Sequence, residues 1–322
     1  MKKIGIGFIG VGGIAQWQHL KLLSTLPQAR LVGYYDKDEK RVADTIKQYG
    51  GVAFGSMDDL LADTDIKAVY VCLPPFAHGE AEEKVIAAGK AIFVEKPLAT
   101  DLATAERTGK KIAAKKLINA VGYNWRYQAN TAELKKRLKP ADIVGVSGWW
   151  CGGRPGVWWW RQKKTCGGQH IEQTTHIFDI ANYVIESQPV SVYAVARKLN
   201  HYKEPDHTVE DISSATVTYK NGVIANIWSS DVMGWRSSRV TCEFFGVERR
   251  YELSGTLKCW EKNYTEIQNA NDPYRHENEL FLKAVATKNQ SLMLATYATS
   301  LTTHRVTMAA DRSMKSGRVE KV

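Results

Sequence analysis

Four groups of residues in this chain combine side-chain types and spacings that suit chemistry. Gly10-Val11-Gly12-Gly13-Ile14-Ala15 follows an apolar run and fits the pattern GxGxxA. Such a turn aims free backbone N–H groups at an anion where a helix begins, the grip that dinucleotide sites use on pyrophosphate. Asp36 closes the next apolar run, where a carboxylate accepts both hydroxyls of a ribose. Glu95-Lys96-Pro97 ends another run. A lysine held between a glutamate and a rigid proline stabilises an alkoxide or passes a proton, and the competing reading is a surface lysine ion-paired with Glu95. Residues 168–186 read as one helix. At 100° per residue it gathers Glu172, His176, Asp179 and Tyr183 on one face, with Ile171, Thr174, Phe178, Ala181 and Ile185 on a core face. The i,i+4 spacing lets the Glu172 carboxylate orient and charge-stabilise the His176 imidazole. A capping or packing histidine is the alternative. A metal site of His170, Glu172 and His176 is rejected, because the spacing matches no ligand pattern and His170 turns off that face.

The elements that must position these groups fall into two sets. Strands are expected over 4–9, 30–35, 68–72, 91–94 and 117–121, with helices over 14–25, 38–48, 57–63, 77–88 and 101–116. Continuous apolar strands separated by helices make a parallel sheet covered on both faces. Residues 1–121 are therefore read as a doubly wound α/β domain of the Rossmann type, and residues 122–322 as an α+β domain. In the second, a helix over 129–139, a strand over 143–150 and the helix near 169–185 precede strands over 190–199, 211–219, 223–230, 238–245, 249–253 and 256–261. Lys220-Asn221-Gly222 supplies a tight hairpin turn. The expected sheet is open and mainly antiparallel, read as a meander. The helices over 276–288 and 294–316 are left free to pack back on the first domain.

Composition narrows the field. The 322 residues carry 44% hydrophobic and 24% charged residues, the mix of a globular protein with sizeable cores. No apolar run approaches the ~20 residues of a membrane helix. Residues 1–9 lead straight into the glycine turn and read as a buried strand rather than a signal peptide, which places the protein in the cytoplasm. Five cysteines without a CxxC pair argue for reduced thiols. The net charge of +10 is spread along the chain in short clusters, so an anionic dinucleotide is a simpler partner than nucleic acid.

Further motifs join the first four. They are Leu73-Pro74-Pro75-Phe76-Ala77-His78, Gly89-Lys90 ahead of Glu95-Lys96-Pro97, Gly122-Tyr123-Asn124-Trp125-Arg126, Trp160-Arg161, and Gly167-Gly168 leading to His176 and Asp179. Taken in chain order, the set resembles the glucose–fructose oxidoreductase / inositol dehydrogenase / MocA-type (Gfo/Idh/MocA) family over nearly the whole length. The resemblance implies an NAD(P)-dependent oxidoreductase that moves a hydride between nicotinamide and a secondary alcohol or ketone of a sugar, cyclitol or sugar derivative. It implies Lys96 as the central catalytic residue, contacting substrate hydroxyl and nicotinamide ribose, with His176 and Glu172 beside it in role. Toward the cofactor it brings Gly10, Gly12, Gly13, Ile14, Asp36, Leu73, Pro74, His78, Glu95, Lys96 and Arg126. Toward the substrate it brings Lys96, Tyr123, Trp160, Arg161, Gln173 and His176, and no metal is expected. A homodimer or homotetramer through the exposed sheet face is implied as well.

The sequence departs from the family in places. An aspartate and a glycine common in the family appear here as Glu172 and Thr174, which leaves Gln173 as a rival for the role of Glu172. Pro-Asn appears as Pro74-Pro75, which gives residue 75 no polar role. Arg126 is open to a plain salt bridge, His78 to helix capping, and the tryptophans of 158–160 to core packing. Asp36 favours NAD over NADP, against the nearby Lys37 and Arg41. Two rival functions stay in view. One is a redox-neutral lyase or hydrolase acting on glycosides with retained NAD; the other is a non-catalytic NAD(P)-binding sensor, which needs neither Lys96 nor His176.

Overall fold

The computed structural model describes residues 3–199 and 206–322. The chain divides into two compact units, one of residues 1–99, 103–127 and 272–300, the other of residues 100–102, 128–271 and 301–322.

In the first unit, β1 (Ile4–Ile9) leads through the glycine turn into a π-helical turn (Ala15–Leu20) and α1 (Lys21–Leu23). There follow β2 (Ala29–Tyr35), α2 (Glu39–Tyr49), β3 (Val52–Ala53), α3 (Met57–Ala62), β4 (Ile66–Val71), α4 (Glu80–Ala87), β5 (Ala91–Val94), α5 (Leu102–Lys115) and β6 (Asn119–Val121). The strands pair in parallel in the order β3-β2-β1-β4-β5-β6. Ile6, Phe8, Val69, Tyr70, Ile92 and Phe93 on the central strands are fully buried, as helices on both faces require. Asp38 and Ser56 start α2 and α3 by accepting the N–H of Arg41 and Asp59. Strand order reverses between β1 and β4, and ligands of such sheets bind beside that point, beyond the carboxyl ends. Gly10, Leu73 and Lys96 all follow those ends.

The second unit holds α6 (Ala129–Arg137), β7 (Ile143–Cys151), α7 (Lys163–Cys166), α8 (Gln169–Glu172), α9 (Thr175–Ile185), β8 (Pro189–Arg197), β9 (Ile212–Tyr219), β10 (Ile224–Ser230), β11 (Arg239–Gly246), β12 (Arg249–Leu253), β13 (Thr256–Trp260) and β14 (Tyr264–Gln268). Next in the chain, α10 (Pro273–Thr287) belongs to the first unit, and α11 (Tyr297–Ser316) and β15 (Glu320–Lys321) complete the fold. Among the described residues, nine strands form one sheet in the order β14-β13-β12-β11-β7-β10-β9-β8-β15. α9 covers one face, packing its apolar side on β7, β10 and β11.

Three sequence expectations change. The sheet is no simple meander, because β7 pairs in parallel with β10 and antiparallel with β11. Apolar alternation fixes which face of a strand is buried but not its neighbour. The short β3, β14 and β15 were not anticipated. The helix expected over 168–186 is broken into α8 and α9 at Gln173 and Thr174, so Glu172 and His176 do not share one uninterrupted helical face. Thr174 is buried, its hydroxyl bonded to that of Ser229 on β10, and this tertiary contact overrides the helical period.

Among the described residues, no helix is long and apolar enough to cross a membrane.

Candidate functional site

The first unit carries a cradle for an anionic dinucleotide. Gly10 has φ +86°, and a Cβ there would lie 2.5 Å from the Cys72 carbonyl oxygen, so the turn admits only glycine. Around Gly12 a Cβ would meet nothing within 4 Å, which leaves the backbone open to a ligand. A cavity of about 310 Å³ begins here, lined by Val11, Gly12, Gly13, Gln16, Trp17, Arg41, Asp44, Thr45 and Gln48. Asp36 is fixed at its edge. Oδ2 accepts Val11 N–H at 2.9 Å and Oδ1 accepts Asp38 N–H at 3.0 Å. Arg41 reaches both Asp36 (3.5 Å) and Asp38 (3.3 Å), so its positive charge is already engaged by two carboxylates. Gln16 supports the floor through the Thr45 hydroxyl at 2.6 Å.

Lys96 stands after β5, half-buried, before Pro97. Its neighbour Glu95 is buried rather than exposed. Glu95 Oε2 accepts the Lys96 backbone N–H at 3.1 Å, and Oε1 is hydrogen-bonded to His19 Nε2 at 2.8 Å. Gly122 seals the carboxylate, since a Cβ on it would lie 2.6 Å from Oε1. Burial first, then the charges of Glu95 and Glu277, pushes the Cys72 thiol well up, so it is no nucleophile. Glu277 is itself buried and held well above the usual carboxylate range by burial and then by Glu95.

In the second unit, His176 opens α9 with its ring stacked on Trp150, centroids 5.4 Å apart and planes 19° apart. Trp160 donates Nε1–H to Glu172 Oε2 at 2.8 Å. Gln173 is half-buried and its Oε1 accepts from Gln169 at 3.3 Å. Arg161 Nη2 pairs with Asp206 at 3.5 Å. Asp179 accepts from the Thr303 hydroxyl at 2.8 Å. His170 is buried, its Nε2 bonded to Ser213, and burial, then the Lys163 charge, pushes its pKa down to about 3, so it stays neutral.

Residues 4–123 match the model of an oxidoreductase family with an NAD-binding Rossmann fold, GFO/IDH/MocA, and residues 139–257 match the GFO/IDH/MocA C-terminal domain. The chain belongs to the GFO/IDH/MocA oxidoreductase family. It is similar to inositol 2-dehydrogenase of Rhizobium meliloti (strain 1021), 29% identical over 261 residues that cover 79% of this chain and 73% of the relative. Among solved structures it is similar to aldose–aldose oxidoreductase from Caulobacter crescentus complexed with glycerol, with a TM-score of 0.86, 20% identity and both chains covered in full (100%). Levoglucosan dehydrogenase in complex with NADH and levoglucosan gives a TM-score of 0.88 at 17% identity, again with 100% of each chain covered. At these identities the structural matches establish the fold. The cradle around Gly12 and the fixed Asp36 fit the NAD that this family binds.

Within the GFO/IDH/MocA frame, the expected residues sort by what they touch. Gly12 and Gly13 line the cavity, Asp36 is bonded to Val11 in its wall, Gly10 and Ile14 belong to the same turn, and Leu73 and Pro74 follow β4 at the same sheet edge. His78 is buried, bonded to Glu82 at 2.5 Å and to the Leu73 carbonyl at 3.1 Å, so it holds the loop and the start of α4. Arg126 is buried too and donates to the Leu294 carbonyl (2.8 Å) and the Thr299 hydroxyl (2.9 Å). Tyr123 is buried against the Arg126 guanidinium at 5.9 Å. Trp160 corrects an expectation: at 0% exposure it packs with Cys166 and Val209 and offers no surface to a sugar, while its N–H orients Glu172. The exposed tryptophan of that loop is Trp158.

Sequence reasoning missed Trp17, 74% exposed on the cradle wall, and Trp150, which carries His176. It also missed His19. Helical spacing from Ala15 puts His19 on the buried side, a signal available in the sequence, but its partner Glu95 is not.

Proposed function

We propose that this protein oxidises a secondary alcohol of a polyol, cyclitol or sugar derivative with NAD, and reduces the ketone in reverse. The single observation that carries the reading is the catalytic corner after β5, where Glu95 and Gly122 fix the Lys96 backbone beside the dinucleotide cradle's sheet edge. When bound, NAD supplies the hydride acceptor at nicotinamide C4. Lys96 Nζ holds the substrate oxygen and favours its alkoxide character. The His176 imidazole, braced by Trp150 and served by Glu172, takes the hydroxyl proton. Gln173 and Arg161 supply hydrogen bonds to further hydroxyls. The names of the relatives, an inositol dehydrogenase, an aldose oxidoreductase and a levoglucosan dehydrogenase, support this substrate class. NAD is preferred over NADP because Asp36 presents a fixed negative charge and Arg41 is already neutralised.

Assembly as a homodimer or homotetramer through the second unit's sheet face is part of the proposal. Tyr193, Val195, Ile224 and Trp228 stand exposed on strands β8 and β10, an apolar face that a second copy would cover. A cytoplasmic location completes it, in keeping with five free cysteines. The test is a panel of inositols, aldoses and anhydrosugars with NAD or NADP, read at 340 nm. Reduction of NAD by a member of the panel supports the reading. Binding of NAD without absorbance change on any member contradicts it.

A further inference from the structure

His19 is fully buried on the π-helical turn, caged by Tyr70 (ring centroids 5.2 Å), Phe93 (4.9 Å) and Tyr274 (6.5 Å). Its hydrogen-bond roles follow from its partners. Asn278 Nδ2 donates to the Tyr274 carbonyl at 2.7 Å, which turns Oδ1 toward His19 Nδ1 at 3.3 Å and the Tyr70 hydroxyl at 2.7 Å. An amide oxygen only accepts, so Nδ1 donates. On the other edge Nε2 faces Glu95 Oε1 at 2.8 Å, while Glu95 Oε2 takes the Lys96 N–H. The ring thus ties Glu95 on one edge to Asn278 on the other, each within hydrogen-bond distance.

A buried polar pair costs desolvation that apolar packing avoids, and a core of this size has cheaper ways to fill the space. π-Helical turns also gather at functional sites. Here the turn begins where the glycine cradle ends and delivers His19 to the residue that grips Lys96.

We propose that His19 is a positioning residue for Lys96: it fixes the Glu95 carboxylate, and that carboxylate fixes the backbone of Lys96. The inference rests on the role given to Lys96 above. Gly122 is pressed on the same carboxylate, where even a Cβ would lie 2.6 Å from Oε1.

Backbone amide hydrogen exchange on the full chain tests it without a substrate. In His19→Leu, exchange of the Lys96 amide should accelerate at least about tenfold, the equilibrium factor of a hydrogen bond to a charged group. Ladder amides of β1 and β4 should move by less than about threefold, because their bonds do not involve the pair. His19→Gln keeps an N–H donor toward Glu95 and should restore the Lys96 amide. Should His19→Leu fail to fold, His19→Phe, which likewise has no ring nitrogen for Glu95, is read in the same way and should also release the Lys96 amide. An unchanged Lys96 amide in the folded variant, or equal acceleration across the whole sheet, overturns the inference, as does failure of His19→Gln to rescue. Turnover of Lys96→Ala is measured separately: retained activity there removes the catalytic reading of Lys96 and leaves the exchange result standing by itself.

Discussion

Gly122→Ala isolates the packing at the catalytic corner. The added Cβ would sit 2.6 Å from Glu95 Oε1, 2.8 Å from Cδ and 2.8 Å from Oε2, all closer than real contacts allow. Glu95 cannot swing away freely, because His19 holds one oxygen and Lys96 N–H the other. Overpacking a well-filled site costs about 1–3 kcal/mol. Breaking one hydrogen bond to the charged carboxylate costs about 1.5–3 kcal/mol more. A sum of about 3 kcal/mol, near the low end, lowers the melting temperature of a unit this size by roughly 6–12 °C. Gly12→Ala is the matched control: its Cβ meets nothing within 4 Å, so the apo protein should melt within about 2 °C of wild type. That same methyl occupies space the pyrophosphate needs, and NAD affinity should fall in Gly12→Ala. Differential scanning calorimetry of both variants, with calorimetric titration of NAD, reads all of this. If Gly122→Ala melts with the wild type, the carboxylate is not clamped as described and the argument for a fixed Lys96 backbone fails.

Other outcomes follow from the same geometry. Asp36→Ala should shrink the NAD preference, measured as kcat/KM with each cofactor, by removing both the ribose acceptor and the repulsion of a 2′-phosphate; a wild type that prefers NADP would show that Lys37 and Arg41 govern the site instead. Trp160→Phe keeps the ring but strips the donor from Glu172, leaving a buried oxygen short of a partner at a cost of about 1–3 kcal/mol, visible in chemical denaturation. Asp231 is pushed up to about 7 by burial and then by Asp211. The folded state therefore binds its proton more tightly than the unfolded chain, and the stability this supplies is lost as pH rises from about 4 toward about 7. Asp231→Asn, which cannot ionise, should flatten that decline in melting temperature, and an unchanged pH profile would refute the assignment.

The first unit was readable because its signals are local. Buried apolar strands, the GxGxxA turn and the helix that follows lie within a few residues of each other, and their chemistry dictates the Rossmann order observed. β3 escaped because its two residues, Val52 and Ala53, are exposed and carry no apolar run. In the second unit the failures are tertiary. Thr174 breaks the helix by bonding Ser229, 55 residues away, and the period of the sequence holds no trace of that partner. The tie between His19 and Glu95 spans 76 residues and joins two motifs that read separately. The resemblance turned Trp160 toward the substrate while the run 158–160 stayed open to core packing, because aromatic side chains suit both walls and cores; burial decides between them, and burial is set by the whole unit. Glu172 was read as the partner that orients His176, and the Trp160 N–H that its Oε2 accepts was not foreseen.

The account rests on Lys96 as the group that handles the substrate oxygen, and Lys96→Ala tests it most directly. The assay pairs NADH formation at 340 nm, on whichever alcohol the panel identifies, with NAD affinity by calorimetry. The expected result is a loss of at least about 100-fold in kcat with NAD affinity nearly unchanged, since the cradle at Gly12 and Asp36 is untouched. Turnover within a few fold of wild type would contradict the central claim.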